Sequence, residues 1–161
     1  MGSMDSDQKI IKIQEYFKNW KFIVDDNVPD YLQPLRNQVL YLIGIVDIFL
    51  DVLIGMNITY PIKDKLNFKE RLDIGDKVGE LIEPMNFGRK LEVAKNSGLI
   101  KQPLYNYIVR ANNLRNALSH PLARNYIPKI KILGKKSNQL KEWENLKIIA
   151  EAIDELKTIK P

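Results

Sequence analysis

Apolar residues recur along most of the chain at alternating steps of three and four, the period of an α-helix with one buried face. The first run, with lysine and glutamate on the opposite side, comprises Ile10, Ile13, Phe17, Trp20 and Val24. The third comprises Leu66, Leu72, Val78, Leu81 and Ile82. In order, the runs predict helices over about residues 10–24, 31–56, 63–83, 86–96, 102–121 and 139–159. The short connections between them favour an all-α bundle of five or six helices.

Residues with special backbone preferences mark the ends of these helices. Asp30 is placed to cap the second helix, and Ser97-Gly98 suits a glycine-type stop after the fourth. Pro121 fixes the end of the fifth helix. Gly75 and Gly79 weaken the third helix and predict a kink or a break there.

Residues 122–138 interrupt the helical pattern. Pro128 and Gly134 are poor helix residues, and Ile130, Lys131 and Ile132 alternate between apolar and charged. This pattern is typical of a basic loop or a short β-ribbon. The residues do not discriminate between the two.

The second helix is apolar nearly all round, which places it at the centre of the bundle or in a subunit interface. Its stretch from Val39 to Ile58 approaches the length of a membrane span. Asp47 and Asp51 interrupt it, however, and each carboxylate costs about 2.5–3.5 kcal/mol at a bilayer centre. We therefore expect a buried helix and no membrane association.

Length and composition bound the class of protein. The 161 residues suit one domain over 4–161, and Met1-Gly2-Ser3 before a second methionine has the character of a cloning remnant. Charged residues near Met4 interrupt any signal peptide, so we expect a cytoplasmic protein. With no cysteine and a single histidine, His120, we expect no protein metal site and no cofactor.

The basic charge is concentrated in one third of the chain. Residues 1–85 carry 10 Lys and Arg against 14 Asp and Glu, and residues 137–161 carry 4 against 5. Residues 86–136 carry 11 against one, Glu92. This distribution favours a polyanion bound near His120, although lysine-rich loops also serve solubility. As RNA-binding residues we predict Arg110, Arg124, Lys129, Lys131, Lys135 and Lys136.

The fifth helix has an unusual polar face. At about 100° per residue, a predicted core face gathers Leu104, Tyr107, Ala111, Leu114 and Leu118. The opposite arc holds Asn112, Arg115, Asn116, Ser119 and His120, with no Glu or Lys between Lys101 and His120. Because asparagine is a poor helix former, this arc indicates a functional site. The alternative is that these groups satisfy buried backbone and that His120 stabilises the helix end.

Arginine and histidine at one helix end suit the chemistry of phosphate esters. Arg115 can neutralise charge on a phosphorane-like transition state, and His120 can transfer a proton near neutral pH. Attack by a ribose 2′-hydroxyl needs a base and an acid on opposite sides of the phosphorus. One imidazole cannot serve both, so a two-fold dimer sharing one cleft is the economical arrangement.

The run Arg115–His120 resembles the Arg-x4–6-His signature of HEPN domains, including the polar residue directly after the arginine. The upstream stretches Asn86–Ala94 and Ser97–Ile100 also resemble the run that precedes this signature in several HEPN families. Together they cover about 35 residues in the right order. The resemblance implies a dimeric α-helical domain, frequently a metal-independent endoribonuclease of toxin–antitoxin modules, RNA-targeting defence or RNA processing.

Carried over by position, the resemblance makes Arg115 the phosphate-stabilising residue, His120 the acid or base and Asn116 the residue that orients them. Asn112 and Ser119 are expected to support them. HEPN domains often keep an acidic residue facing the motif, for which Asp47 is preferred here over its neighbour one turn later. Those two aspartates also fit the exposed edge of the second helix.

Two other classes of function fit the same residues. One is a non-catalytic HEPN-like module that binds a nucleotide, RNA or a partner protein such as an antitoxin or a nucleotidyltransferase. The other is a helical dimerisation protein whose residues 122–138 contact nucleic acid only through phosphates.

Overall fold

A computed structural model describes residues 2–19 and 23–158. This part of the chain is all helical, has no strand and contains seven α-helices. They are α1 Ser6–Tyr16, α2 Gln33–Thr59, α3 Phe68–Ile82, α4 Phe87–Asn96, α5 Gln102–Ser119, α6 Ile127–Leu133 and α7 Lys136–Leu156, with 3-10 helices at Asp30–Leu32 and Tyr60–Lys65. The all-α prediction is confirmed, and the predicted count is short by at least one helix.

The helix that sequence reasoning missed is α6, which lies inside the segment expected to be a loop or ribbon. Pro128 falls in its first turn, where the missing N–H is not needed. Gly134 ends the helix, and its N–H donates to the carbonyl of Ile130 at 3.2 Å. Three alternating residues are too few to distinguish a strand from one helical turn. The prediction of a loop or ribbon was wrong for this reason.

The segment between α1 and α2 departs from the helical prediction, since α1 ends at Tyr16 and Val24 is 70 % exposed. Trp20, which the prediction placed on the buried face, lies outside the described residues. Hydrogen bonds to side-chain carboxamides of α2 hold residues 23–28 instead. Gln33 Nε2 donates to the carbonyl of Val28 at 2.7 Å, and Asn37 Oδ1 accepts from the N–H of Ile23 at 3.0 Å.

The predicted cap of α2 is wrong and α3 has no break, while a kink in α3, the other expectation, stays a prediction. Pro29, with no side-chain hydrogen bond, occupies the cap of the 3-10 turn that begins at Asp30, so Asp30 does not cap α2. Helix α3 continues through Gly75 and Gly79 without a break. It also starts later than expected, because Asn67 forms a capping box with Glu70.

The apolar face predicted for α3 is mostly uncovered. Ile82 is buried, and a Cβ on Gly55 of α2 would lie 3.9 Å from Ile82 Cδ1. Leu72 and Leu81, in contrast, are 53 % and 73 % exposed. A regular helical period therefore predicted the helix correctly and its burial only in part.

The chain divides into two compact units. The first comprises residues up to Ile43 and Tyr107–Ala152; the second comprises Gly44–Asn106 and the residues from Ile153 onward. In the first unit, Phe17 and Trp143 lie with ring centroids 6.0 Å apart. This unit holds every residue of the predicted polar arc on α5.

One described helical stretch, Asp30–Lys65, is long and apolar enough to cross a membrane. In its most apolar window, 39 % is buried within the protein. Core helices of soluble proteins and signal sequences pass the same test, so the expected cytoplasmic location stays a prediction.

The stop after α4 is confirmed and supplies a test of local backbone energetics. Gly98 has φ 74°, in the left-handed region that costs other L-residues roughly 1–2 kcal/mol. Gly98→Ala should lower the free energy of unfolding by about 1 kcal/mol in urea titrations. Gly75→Ala is the matched control, because it lies within α3 with nothing within 4 Å of a new Cβ. We expect it to raise stability by about 0.5–1 kcal/mol; equal effects at the two positions would contradict this reading.

Candidate functional site

Four of the five residues in the polar arc of α5 are half-buried rather than solvent-exposed. Asn112, Arg115, Asn116 and Ser119 are all of intermediate exposure. The reason is Ile108, which is fully buried and lies on the same line of the helix, four, seven and eleven residues before Asn112, Arg115 and Ser119. This line of the helix therefore begins in the core at Ile108 and continues with polar residues. We call Asn112, Arg115 and Ser119 the polar seam.

The buried face of α5 is also wider than predicted. Ala111, Leu114 and Leu118 are buried as expected, and Ala117 joins them at 1 % exposure. Tyr107, predicted as core, is 36 % exposed, and Leu104 is only half-buried. Tyrosine at the edge of a buried face keeps its hydroxyl in water, which accounts for this correction.

Two atoms of the polar seam lack a hydrogen-bond partner within the described part of the chain. They are Asn112 Oδ1 and Ser119 Oγ, and both atoms are buried. A buried polar atom without a partner costs about 1–3 kcal/mol. Asn112 Oδ1 therefore does not satisfy buried backbone, as the purely structural interpretation of this arc required. Both oxygens can accept a hydrogen bond from a group outside the described residues.

His120 lies directly after α5 and is exposed. Its N–H donates to the carbonyl of Asn116 at 3.1 Å, which continues the helical hydrogen bonding by one residue. Its ring centroid is 6.3 Å from that of Tyr126, with 32° between the planes. Lys129 Nζ lies 5.6 Å from the centroid of Tyr126. Histidine, aromatic ring and ammonium thus follow one another across the surface of the first unit.

Arg115 is half-buried and engaged in interactions within the chain. Arg115 belongs to the half-buried line of the helix, with Asn112 and Ser119 one turn before and after it. His120 is attached to the exposed end of the same helix. The two residues that sequence analysis singled out therefore have different surroundings.

Arg110, one of the predicted RNA-binding residues, forms an ion pair with Glu142. Its Nε and Nη2 donate to Glu142 Oε1 at 3.0 and 2.6 Å. Hydrogen bonds to Glu142 raise the pKa of Arg110 above its ordinary value, against the opposing effect of partial burial. Because Glu142 balances its charge, Arg110 adds less positive potential than the sequence suggested.

The other predicted RNA-binding residues are exposed. Lys136 Nζ lies 2.7 Å from Asp7 Oδ2 in an exposed ion pair, and the hydrogen bond and charge of Asp7 raise its pKa. The remaining four are Arg124, Lys129, Lys131 and Lys135. They lie on α6 or its flanking turns, in the first unit with His120.

Asp47 has a partner of its own in the second unit. Lys90 is 3 % exposed, and its Nζ lies 3.0 Å from Asp47 Oδ1 and 2.8 Å from Asp51 Oδ1. Burial by itself lowers the pKa of Lys90, but the hydrogen bonds and charges of Asp51 and Asp47 together raise it. The two aspartates are half-exposed, so the ion pairs place the buried ammonium just beneath the surface of the unit.

Sequence reasoning missed a cavity of about 350 Å³ in the first unit, between α5, α6 and α7. It is lined by Arg110, Asn113, Leu114, Ala117, Lys129, Ile132, Leu133, Asn138 and Glu142. The available signal was on α7, where Asn138, Glu142 and Asn145 repeat at steps of four and three. Polar residues at helical spacing on an inward face indicate buried hydrogen bonding or a lined cavity.

Metal binding has no support from the described side chains. No three His, Asp or Glu residues among them come close enough to hold a metal ion. The expectation of a cofactor-free protein is not tested by this finding and stays a prediction.

Comparison with models of known protein families, with curated proteins and with solved structures finds no significant match. The resemblance to HEPN domains therefore rests on the residues of this chain alone.

The pair of aspartates around Lys90 predicts non-additive stability effects. Either carboxylate can hold the ammonium when the other is lost, so Asp47→Asn and Asp51→Asn should each cost at most about 1 kcal/mol. The double variant leaves a buried charge unpaired, so it should cost roughly 3 kcal/mol, more than the sum. Urea denaturation of all four proteins measures this coupling. Additive losses would show that the aspartates do not share the ammonium.

The same cluster predicts a pH dependence with a definite sign. Because the pKa of Lys90 is raised on folding, its contribution is complete below the ordinary lysine value of about 10.4 and is lost above it. The stability difference between the wild type and Lys90→Met should stay constant from about pH 7 to 9.5 and shrink beyond about 10.5. A difference that shrinks below pH 9 contradicts the raised pKa.

Proposed function

We propose that this protein is a metal-independent endoribonuclease of HEPN type, with its active site at the C-terminal end of α5. The observation that carries the proposal is the continuation of a buried seam into Asn112, Arg115 and Ser119, two of which have orphaned polar atoms. The exposed His120 follows directly. Polar groups arranged at the cost of stability are typical of functional sites.

The chemistry follows from the residue types. The 2′-oxygen of a ribose attacks the adjacent phosphorus, and its proton passes to the imidazole of His120. The bond from phosphorus to the 5′-oxygen breaks, and that oxygen takes a proton from an acid on the opposite side. The products are a 2′,3′-cyclic phosphate and a 5′-hydroxyl, with no net change in protons. Arg115 stabilises the charge that develops on the phosphoryl oxygens.

A second copy of the chain supplies the acid. The imidazole that accepts the first proton cannot also reach the leaving oxygen, and this sequence contains no other histidine. A two-fold dimer brings two copies of His120 and Arg115 to one cleft, and the second copy would also cover the orphaned atoms of Asn112 and Ser119. Leu122, two residues after His120 in the same unit and 73 % exposed, leaves apolar surface for such contacts.

The substrate fits the charge of the region. Arg124, Lys129, Lys131 and Lys135 give α6 and its flanks an exposed positive potential beside His120. Contacts of this kind bind the phosphates of single-stranded RNA without regard to sequence, and their strength falls as salt increases. In this proposal they position the strand, and His120 and Arg115 cut it.

The proposal is tested by incubating the protein with single-stranded RNA in excess chelator. We expect cleavage by the wild type and a loss of at least 100-fold in Arg115→Ala and His120→Ala. Arg71→Ala, an exposed arginine of α3 in the other unit, is the matched control and should cleave normally. Circular dichroism and light scattering confirm folding and a dimer for each variant.

Three outcomes contradict the proposal in different ways. Absence of cleavage, or cleavage unaffected by both substitutions, removes the nuclease. Salt-dependent RNA binding without cleavage favours a non-catalytic module instead. Cleavage by a protein that stays monomeric removes the composite site while leaving the roles of Arg115 and His120 in place.

A further inference from the structure

The cavity between α5, α6 and α7 has the size and lining of a small-ligand site. Its volume of about 350 Å³ lies at the lower end of the range for ligand pockets. Leu114, Ala117 and Leu133 form buried apolar walls, and Ile132, 53 % exposed, stands at the rim. These aliphatic side chains can pack against the face of one heteroaromatic ring system.

Two polar groups of the cavity keep oxygens that can accept hydrogen bonds from a ligand. Asn138 Nδ2 already donates to the carbonyl of Ile132 at 3.0 Å, which leaves its Oδ1 for a ligand. Arg110 directs Nε and Nη2 to Glu142, whose carboxylate oxygens retain further lone pairs. Asn113 is exposed and offers both a donor and an acceptor. A ligand that fits this lining brings donors of its own, such as an exocyclic amino group.

The cavity adjoins the proposed active site. Asn113 lies on α5, and His120 follows seven residues later, directly after the helix. Helical hydrogen bonding continues to His120, so the two residues share one side at a separation of about 10 Å along the axis. Lys129 also lines the cavity, and its ammonium lies 5.6 Å from the ring of Tyr126, which neighbours His120. A strand cut at His120 can therefore place a nearby base at the cavity mouth.

We propose that this cavity is a base-recognition subsite that selects an RNA nucleotide next to the cleaved bond. It prefers adenine or cytosine, whose Watson–Crick edges carry an amino group, over uracil, which has a carbonyl there. The carboxamides of Asn113 and Asn138 and the carboxylate of Glu142 read that edge, and Lys129 binds the adjoining phosphate. This assignment rests on the proposed function for its substrate, but it is tested by binding and not by cleavage.

The probes are RNA heptamers of six uridines around one central base, with every 2′-hydroxyl methylated so that 2′-attack is blocked. Fluorescence anisotropy compares adenine, cytosine, uracil and hypoxanthine at the central position. Hypoxanthine stacks as adenine does but carries a carbonyl in place of the amino group. We expect adenine and cytosine to bind about tenfold more tightly than uracil and hypoxanthine.

Two variants of different kinds examine the cavity. Ile132→Trp fills it from the exposed rim, and Asn113→Ala with Asn138→Ala removes its amides. In both, the ratio of adenine to hypoxanthine affinity should fall to about one. Ile58→Trp, another exposed isoleucine that does not line this cavity, should keep the wild-type ratio.

The outcomes separate this inference from the nuclease itself. Equal binding of all four probes, or a preference that survives both cavity variants, overturns the subsite even if RNA is cleaved. A preference lost in both variants supports the subsite even if no cleavage is seen. A protein that binds none of the heptamers contradicts the subsite and RNA recognition together.

Discussion

The burial of Ile108 sets the character of helix α5. Since this side chain is fully buried, the line of the helix that follows it through Asn112, Arg115 and Ser119 is drawn partly out of water. Each polar atom on that line must then find a partner or cost stability. Two of them find none among the described residues. The proposed active site is built on this local conflict between burial and polarity.

The basic residues of the chain differ in whether a carboxylate balances their charge, and this difference fits the proposed active site. Where an ion pair serves structure, one partner is buried: Glu142 pairs with Arg110, and Lys90 pairs with Asp47 and Asp51. Arg124, Lys129, Lys131 and Lys135, which we propose bind RNA, are exposed on α6 and its flanks. The sequence shows only that residues 86–136 are basic. The structure separates the cations already balanced by a carboxylate from those that face water.

Helix positions were predictable to the extent that local chemistry determines them. Pro103 and Pro121 bracket α5, and Ser97-Gly98 ends α4, so both helices could be placed within two residues. Burial was less predictable, because it depends on partners distant in the chain. Tyr107 and Leu81 fit an apolar stripe yet are exposed, and Ala117 fits none yet is buried. The cavity was missed for the same reason, since residues from three separate helices line it. Arg115, Asn116 and His120 could be singled out because their types are unusual at the end of a helix.

The central claim is that the end of α5 promotes attack by a ribose 2′-hydroxyl, and the most direct measurement uses a DNA strand containing one ribonucleotide. In chelator, the account predicts a single cut on the 3′ side of that ribose. Mass spectrometry should find a 2′,3′-cyclic phosphate on one fragment and a 5′-hydroxyl on the other. Cleavage elsewhere in the strand, or a fragment ending in a 5′-phosphate, would contradict it.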